Sequence, residues 1–462
     1  MEIKQHIFRE YDIRGTVGVD LSDEFAYVLG RAFGEILREQ GKTNFCIGWD
    51  CRLSSEGYAK NLANGIADNG VEVILTGMGP TPQLYFSIYA LESGGGIQVT
   101  GSHNPADMNG FKMCIGTQTI SGEQIQDLKA RVLRLANADR PSTGRAKISA
   151  NLIQERYAQN LIDNCKDHMG SRKLKIVVDA GNGVGGMIGP HVLRSLGAEV
   201  IELYCDPDGS FPNHHPDPTE LKNIKDLVAK VQSEKADFGI GWDGDADRIG
   251  VVDENGQIIF GDMLLLIYGR ALMQEVPKPT VIGDVKCSSL LFNDLNSKGA
   301  VGVMWKTGHS LIKNKLRELN AELAGEMSGH IFFKHRFFGF DDAIYASARL
   351  VEIMSKTDRK ISTLLSDLPK MISTPEIRVD CAEEIKFGII KEAQQSFVEY
   401  KINTLDGVRI DFEDGWGLVR ASNTQPVLVM RFEAVSQEKL SQYEAIVTEK
   451  IAKIKSKLTA SV

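Results

Sequence analysis

The chain has 462 residues, 42% hydrophobic and 25% charged, with a formal net charge of −8. That composition excludes a disordered or collagen-like chain and, at about 100–200 residues per domain, predicts three or four globular domains. The acidic balance argues against a nucleic-acid partner, which needs a basic face, but leaves room for a small anion held by local arginines.

The N-terminal "MEIKQHIFREYDIRG" is too charged for a signal peptide. The apolar run "MLLLIY" at 263–268 falls far short of the roughly 20 residues needed to span a bilayer, so no membrane partner is expected. Seven cysteines without a C-x-x-C pair favour reduced thiols in a cytoplasm over a zinc ribbon or a disulfide framework.

Strand and helix patterns alternate through residues 1–150. "NFCIGW" precedes a helical "SSEGYAKNLANGIADNG", then "VEVILTG" and "GGIQVTG" read as strands. After the last of these comes "SHNP", where Ser102 is either a turn former or a reacting hydroxyl and His103 its neighbour. Arg14 in "YDIRG" and Lys112 in "NGFK" are lone polar residues beside strand-like runs.

A second set covers 151–255 ("LKIVVDA", a helix ending at "SLG", "IELY", "LKNIKDLVAKVQ", "ADFGIGW"). "DAGNGVGG" at 179–186 satisfies G-x-G-x-x-G after a strand, with Glu202 near the place of a ribose-binding acid. A dinucleotide site and tight strand–helix packing both fit it. "WDGDADRIG" at 242–250 alternates Asp243, Asp245 and Asp247, which an extended backbone would throw to one side. Three such carboxylates repel one another, and a hard divalent cation such as Mg²⁺ relieves that repulsion. An EF-hand fits worse, because Arg248 stands where that loop requires glycine. Arg248 suits a phosphate contact instead.

The third set, 256–370, holds "TVIGDV", "SSLLFNDLNSKG", "AVGVMW" and "SLIKNKLREL", with Lys286 and His309 as lone polar residues. "AGEMSGH" at 324–330 puts Glu326, Ser328 and His330 on alternate positions, as a polyhydroxy ligand or a solvated strand edge would have them. Each of the three sets predicts β-α-β units and a mostly parallel sheet, and together they look like a degenerate repeat. Residues 371–462 read as an α+β domain with an antiparallel sheet. There Arg420, Ser422, Asn423 and Thr424 form a loop that fits either a phosphate cradle or a capped turn.

"YDIRG", "TGSHNP…NGFK", "DGSFPNHHPDPTE", "DGDADR", "GEMSGH" and "RASNTQP" stand in the order and approximate spacing of the α-D-phosphohexomutases, which the chain resembles over essentially its whole length. The similarity is greatest to the bacterial phosphomannomutase/phosphoglucomutase group. The resemblance implies four domains around a central cleft, three of one α/β topology and a fourth with an antiparallel sheet. It implies reversible phosphoryl transfer between the 1- and 6-positions of mannose or glucose phosphate. The enzyme would use a phosphoserine at Ser102 and a 1,6-bisphosphate intermediate, the bisphosphate also serving as activator. Asp243, Asp245, Asp247 and a phosphoserine oxygen would hold Mg²⁺. Lys112 and His330 would be candidate acid and base, with Arg14, His103, Lys286 and His309 lining the cleft and Arg248 supporting the phosphoserine. Glu326 and Ser328 would bind sugar hydroxyls, and Arg420, Ser422, Asn423 and Thr424 the non-reacting phosphate. Met327 stands where the glucosamine branch usually has Gln, so a phosphoglucosamine mutase is the second choice within the family and an NAD-binding oxidoreductase the alternative outside it. A non-catalytic sugar-phosphate binder would need none of Ser102, the aspartates and Lys112 together. Monomer and homodimer are both expected to be compatible with this reading.

Overall fold

A computed structural model describes residues 2–139, 145–422 and 426–459. In the first unit, strands Asn44–Trp49, Glu72–Met78, Gly95–Val99 and Met108–Ile115 stand in the spatial order fourth, third, first, second. The second unit repeats that order with Lys175–Asp179, Glu199–Leu203, Phe238–Trp242 and Ile249–Asp253. The third repeats it with Thr280–Asp284, Val301–Trp305, Leu323–Gly325 and Ile331–Phe333.

The three sheets are mostly parallel, as expected, with one antiparallel strand that makes each of them mixed. In each unit the first three strands run parallel and the fourth returns antiparallel. The cause is connection length. Helices Ser55–Ala67 and Thr81–Ala90 make the parallel crossovers of the first unit, and their counterparts do so in the others. The links 100–107, 243–248 and 326–330 carry no helix and are far shorter than the dozen or more residues a parallel crossover needs.

This topology places the chemistry. The second and third strands lie on opposite sides of the first, so each sheet has a switch point, and loops at the carboxyl ends of the first and third strands border a crevice there. Ser102, the three aspartates and the Glu326–His330 stretch all lie on the loop that leaves the third strand, one in each unit.

The first unit has its own core around Phe25, Phe33, Phe45 and Phe111. A second core runs without interruption from Tyr85 and Phe86, on the first unit's helix Thr81–Ala90, through the second and third units to Ile361. Residues of three units are therefore held in one contiguous apolar core. The fourth unit is an all-antiparallel sheet under helices Glu383–Ser396 and Gln437–Thr459, with a separate core. Arg409 joins it to the third unit: its guanidinium stacks on Trp416 at 3.7 Å and donates to the carbonyls of Val285 at 2.6 Å and Cys287 at 2.8 Å.

Candidate active site

Ser102 follows the fully buried strand Gly95–Val99 and is itself 1% exposed. Its backbone is left-handed, with φ of +50°, a conformation that costs a non-glycine residue on the order of 1–3 kcal/mol and persists only where neighbours enforce it. The hydroxyl donates to Asp243 Oδ2 at 2.9 Å, across the boundary between the first and second units. His103 Nδ1 stands 3.3 Å from Ser102 Oγ. Burial pushes the His103 imidazole well below its ordinary value, helped by the charges of Arg248, Arg14 and Lys112, so it is neutral.

Asp243, Asp245 and Asp247 converge as expected, but not from an extended backbone. Residues 243–248 form a turn in which Ala246 is left-handed, with φ of +54°, and the backbone amides of Asp247 and Arg248 donate to Asp243 Oδ1, both at 3.1 Å. All three carboxylates have no solvent exposure, and one oxygen of each lies within 4.8 Å of the others. Burial, with Asp247 and Asp245 nearby, raises Asp243 well above the usual carboxylate range. Burial acts the same way on Asp247, but Lys112 and His330 outweigh it and hold Asp247 well below that range.

Lys112 comes from strand Met108–Ile115, paired with Gln98 on the strand that leads into Ser102. Its ammonium donates to Asp245 Oδ2 at 2.6 Å and also to Asp247. Thr81, at the start of its helix, donates to the same Asp245 oxygen at 2.5 Å. Asp245 Oδ1 is buried and has no hydrogen-bond partner among the described residues. An orphaned carboxylate oxygen between two like charges is what a hard cation would satisfy, so the donor set fits an oxygen-ligated divalent ion.

The third unit closes the site. Arg248 and His330 form an antiparallel bridge, and His330 Nε2 lies 3.2 Å from Asp247 Oδ1. The other ring nitrogen is 2.6 Å from Glu326 Oε2, and Glu326 Oε1 accepts the Gly308 amide at 2.6 Å. Both Glu326 oxygens are thus engaged within the protein, orienting His330. Burial opposes the charge on His330, but Asp247 and Glu326 raise it to about 9, while Glu326 is drawn down to about 2 by His330 against its own burial. His309 packs between Tyr11 and His330, at ring distances of 5.1 and 5.7 Å, with both nitrogens buried and without a hydrogen bond among the described residues, Nδ1 standing 3.6 Å from Asp341 Oδ2. Ser328 is half-buried in the turn beside them.

Arg14 pairs with Asp12 at 2.5 Å on strand Ile13–Thr16, near enough to Asp245 to feel its charge. Lys286 is buried and pairs with Glu376 at 3.2 Å. Arg420 pairs with Asp406 at 3.0 Å, and Asp406 also accepts the Thr307 amide at 3.0 Å, linking the fourth unit to the third. Ser422 ends the same strand region, its carbonyl accepting from Lys386 at 2.7 Å. Asn423 and Thr424 lie outside the described residues. Sequence reasoning missed Tyr11 and Thr81. Tyr11 could have been noticed beside Arg14 in "YDIRG"; nothing local to Thr81 signals its partner 164 residues away.

The glycine-rich 181–186 turn is packing, not a nucleotide cradle. A Cβ on Gly186 would stand 2.0 Å from the Cys205 carbonyl oxygen, and one on Gly183 would stand 2.7 Å from the Gly244 carbonyl oxygen. Glu202, the candidate ribose ligand, pairs with Arg194 at 2.6 Å.

Four family descriptions match in chain order. Phosphoglucomutase/phosphomannomutase, alpha/beta/alpha domain I, covers residues 5–139; domain II covers 155–256, domain III 260–372 and the C-terminal domain 376–450. A phosphomannomutase/phosphoglucomutase of Pseudomonas aeruginosa is 46% identical over 454 residues, 98% of this chain and 96% of the relative. A phosphoglucomutase of Neisseria meningitidis is 43% identical over 455 residues, 96% of this chain and 97% of the relative. The crystal structure of a phosphoglucomutase/phosphomannomutase family protein from Burkholderia thailandensis superposes with a TM-score of 0.91, at 40% identity and 98% coverage of both chains. These relatives favour neither the oxidoreductase nor the glucosamine alternative.

Proposed function

We propose that this chain, which belongs to the phosphoglucomutase/phosphomannomutase family, interconverts the 1- and 6-phosphates of glucose and mannose through a phosphoserine at Ser102. The observation that carries the assignment is Ser102 Oγ, buried in a left-handed turn 2.9 Å from a carboxylate of the buried aspartate triad.

In the forward half-reaction the bond between Ser102 Oγ and phosphorus breaks as a bond from the sugar hydroxyl to phosphorus forms. The hydroxyl proton leaves to a flanking group and a proton returns to Oγ, so the half-reaction has no net proton change. The second half-reaction repeats this in reverse from the other end of the hexose 1,6-bisphosphate, which also primes an unphosphorylated enzyme. Asp243, Asp245 and Asp247 would hold Mg²⁺, which when bound neutralises charge beside the transferring phosphoryl group. Lys112, held charged by the three aspartates, and His330, by Asp247 and Glu326, suit hydrogen-bond donation and the acid role, worth on the order of 10²–10⁴-fold. Arg248 would support the phosphoserine, Arg14, whose charge is felt at Asp245, would line the cleft beside it, and His309, whose ring nitrogens make no hydrogen bond among the described residues, would face the sugar. Arg420, Ser422 and Lys286, with Asn423 and Thr424, would receive the distal phosphate. Glu326 and Ser328 would read sugar hydroxyls: each Glu326 oxygen makes one internal hydrogen bond and keeps a lone pair for a further donor. Seven free cysteines, six of them buried, suit a reducing cytoplasm. Among the described residues no helix is long and apolar enough to cross a membrane.

The test is mass spectrometry after incubation with glucose 1,6-bisphosphate. One added phosphate is expected on the peptide containing Ser102, and Ser102→Ala should lose both the phosphate and steady-state turnover by orders of magnitude. Turnover near the wild-type rate in Ser102→Ala would rule out the carrier role.

A further inference from the structure

The left-handed turn at Ser102 needs an enforcer, and none of the groups lining the cleft supplies one. Arg52, which follows strand Asn44–Trp49 by three residues, does. Its side chain is 1% exposed. Nη2 donates to the carbonyls of Ser102 at 2.8 Å and Asn104 at 2.6 Å; Nη1 donates to those of Pro105 at 2.6 Å and Met108 at 2.9 Å; Nε donates to Asp50 Oδ2 at 3.2 Å. All five guanidinium N–H groups are spent, three on the loop that carries the nucleophile and one on Met108, the first residue of the strand that follows it. A Cβ on Gly101 would lie 2.5 Å from the guanidinium carbon, so the plane rests directly against the backbone before Ser102.

Asp50 completes the clamp from the other side. It accepts from Ser55 Oγ at 2.5 Å, Thr100 Oγ1 at 2.7 Å and the Gly101 amide at 3.3 Å. Thr100 Oγ1 in turn accepts the Ser102 amide at 2.8 Å. Asp50 and Arg52 cancel in charge, so the pair adds little field at the cleft; its effect is geometric.

The second unit lies on top of this clamp. The Phe211 ring faces the Arg52 guanidinium at 4.9 Å, and a Cβ on Gly209 would stand 2.4 Å from the Cys51 carbonyl oxygen and 2.6 Å from Arg52 Cα. Cys51 Sγ donates to the Asn182 carbonyl at 3.5 Å. Further along the same segment, Pro216 Cγ would be 3.4 Å from a Cβ on Gly244, in the aspartate loop. The segment "DGSFPNHHP" thus bears on both the serine loop and the metal-binding loop.

We propose that Arg52 is a positioning residue for phosphoryl transfer: by holding the carbonyls of Ser102, Asn104, Pro105 and Met108 it sets the backbone that aims Ser102 Oγ at Asp243, and Phe211 makes that setting depend on contact between the first two units. This rests on Ser102 being the phosphoryl carrier. Lysine cannot replace the guanidinium, because an ammonium has three donors around a point charge and no planar fork. A misplacement of about 1 Å at a reacting centre costs on the order of 100-fold in rate.

The experiment compares wild type, Arg52→Lys and Phe211→Ala in the full chain. It reads the rate at which glucose 1,6-bisphosphate phosphorylates Ser102, by quenched-flow mass spectrometry, beside the melting temperature and KM. Arg52→Lys is expected to phosphorylate on the order of 100-fold more slowly per folded molecule, with KM within about threefold. Phe211→Ala is expected to show a smaller loss in the same rate, and the double variant less than the product of the two single losses. Wild-type phosphorylation rates in Arg52→Lys, or losses that track only the unfolded fraction, overturn the positioning role. An unaffected Phe211→Ala overturns the dependence on the second unit. Failure of the wild type itself to acquire phosphate at Ser102 overturns the carrier assignment first, and is told apart by that control.

Discussion

Lys112 Nζ lies 2.6 Å from Asp245 Oδ2 and also pairs with Asp247, so a cation of the first unit rests on the carboxylates of the second. Burial disfavours the ammonium, but the three aspartates more than compensate and keep it charged. Lys112→Met would leave three buried carboxylates without that charge. Removing one partner of a buried ion pair costs about 3–5 kcal/mol. The variant should therefore melt well below wild type in EDTA and recover much of the difference in Mg²⁺, which binds only the folded chain. Identical melting of both proteins in EDTA would contradict this account of the cluster.

Chelation should silence the wild-type enzyme and Mg²⁺ should restore it. The physical ground is Asp245 Oδ1, buried without a partner among the described residues, in a triad with no solvent exposure. Lys112 occupies the other Asp245 oxygen and is tethered to its strand, so it cannot also replace a phosphoryl-bound cation. The check is an assay after exhaustive chelation; full turnover there would remove the cation from the reaction.

Gly186→Ala distinguishes packing from nucleotide binding. The added Cβ would meet the Cys205 carbonyl oxygen at 2.0 Å, a backbone atom that cannot swing away. Overpacking of this kind costs about 1–3 kcal/mol or more. A lower melting temperature is expected, with no NADH binding by either protein in a fluorescence titration. Saturable NADH binding by the wild type would revive the dinucleotide reading.

The alternation of strands and helices, the three repeated units and the antiparallel tail were legible because each rests on local periodicity. The motifs around Ser102, the aspartates and Glu326–His330 were visible as unusual residue clusters. Their equivalence was not: it depends on strand order, which places each cluster after the third strand of its own unit. The aspartate loop was expected to be extended, since period-two spacing suggests a strand, yet Ala246 in the left-handed region turns the backbone and two amides from within the loop complete it. Arg52 and Thr81 escaped notice for another reason. Their partners are distant in sequence, and arginine or threonine after a strand is ordinary.

Arg420→Ala should raise KM for hexose phosphates with a smaller effect on kcat. Arg420 is 6% exposed, and its charge bears on Tyr11 and Asp284 at the cleft. A charge-assisted hydrogen bond is worth about 1.5–3 kcal/mol, which corresponds to a KM higher by on the order of 10–100-fold. Asp406 keeps the Thr307 amide as a partner, so the fold should survive the change. Steady-state kinetics with glucose 1-phosphate and mannose 1-phosphate provide the check. An unchanged KM for both would remove Arg420 from the distal phosphate site.

Tyr157 and Asp342 tie the second unit to the third. The Tyr157 hydroxyl donates to Asp342 Oδ2 at 2.7 Å, while Asp342 Oδ1 caps helix Ala343–Ser355 by accepting the Tyr345 amide at 2.8 Å. Burial pushes the Asp342 carboxyl up to about 7 from its ordinary 3.8, the Tyr345 amide and Tyr157 hydroxyl only partly opposing it. The folded pKa is thus above the unfolded one. Its contribution to stability is complete below about pH 4, where both states are protonated, and is lost as pH rises through about 7, because the unfolded chain gives up its proton first. Asp342→Asn keeps the cap and the shape but cannot titrate. Its stability should therefore change less than that of wild type between about pH 4 and pH 7, the two curves diverging by a few kcal/mol at most. Tyr157→Phe should cost about 0.5–1.5 kcal/mol throughout. Denaturant unfolding at three pH values across that range measures both effects. Parallel pH profiles for wild type and Asp342→Asn would mean that Asp342 is ionised in the folded protein and that the contact between the units does not depend on its proton.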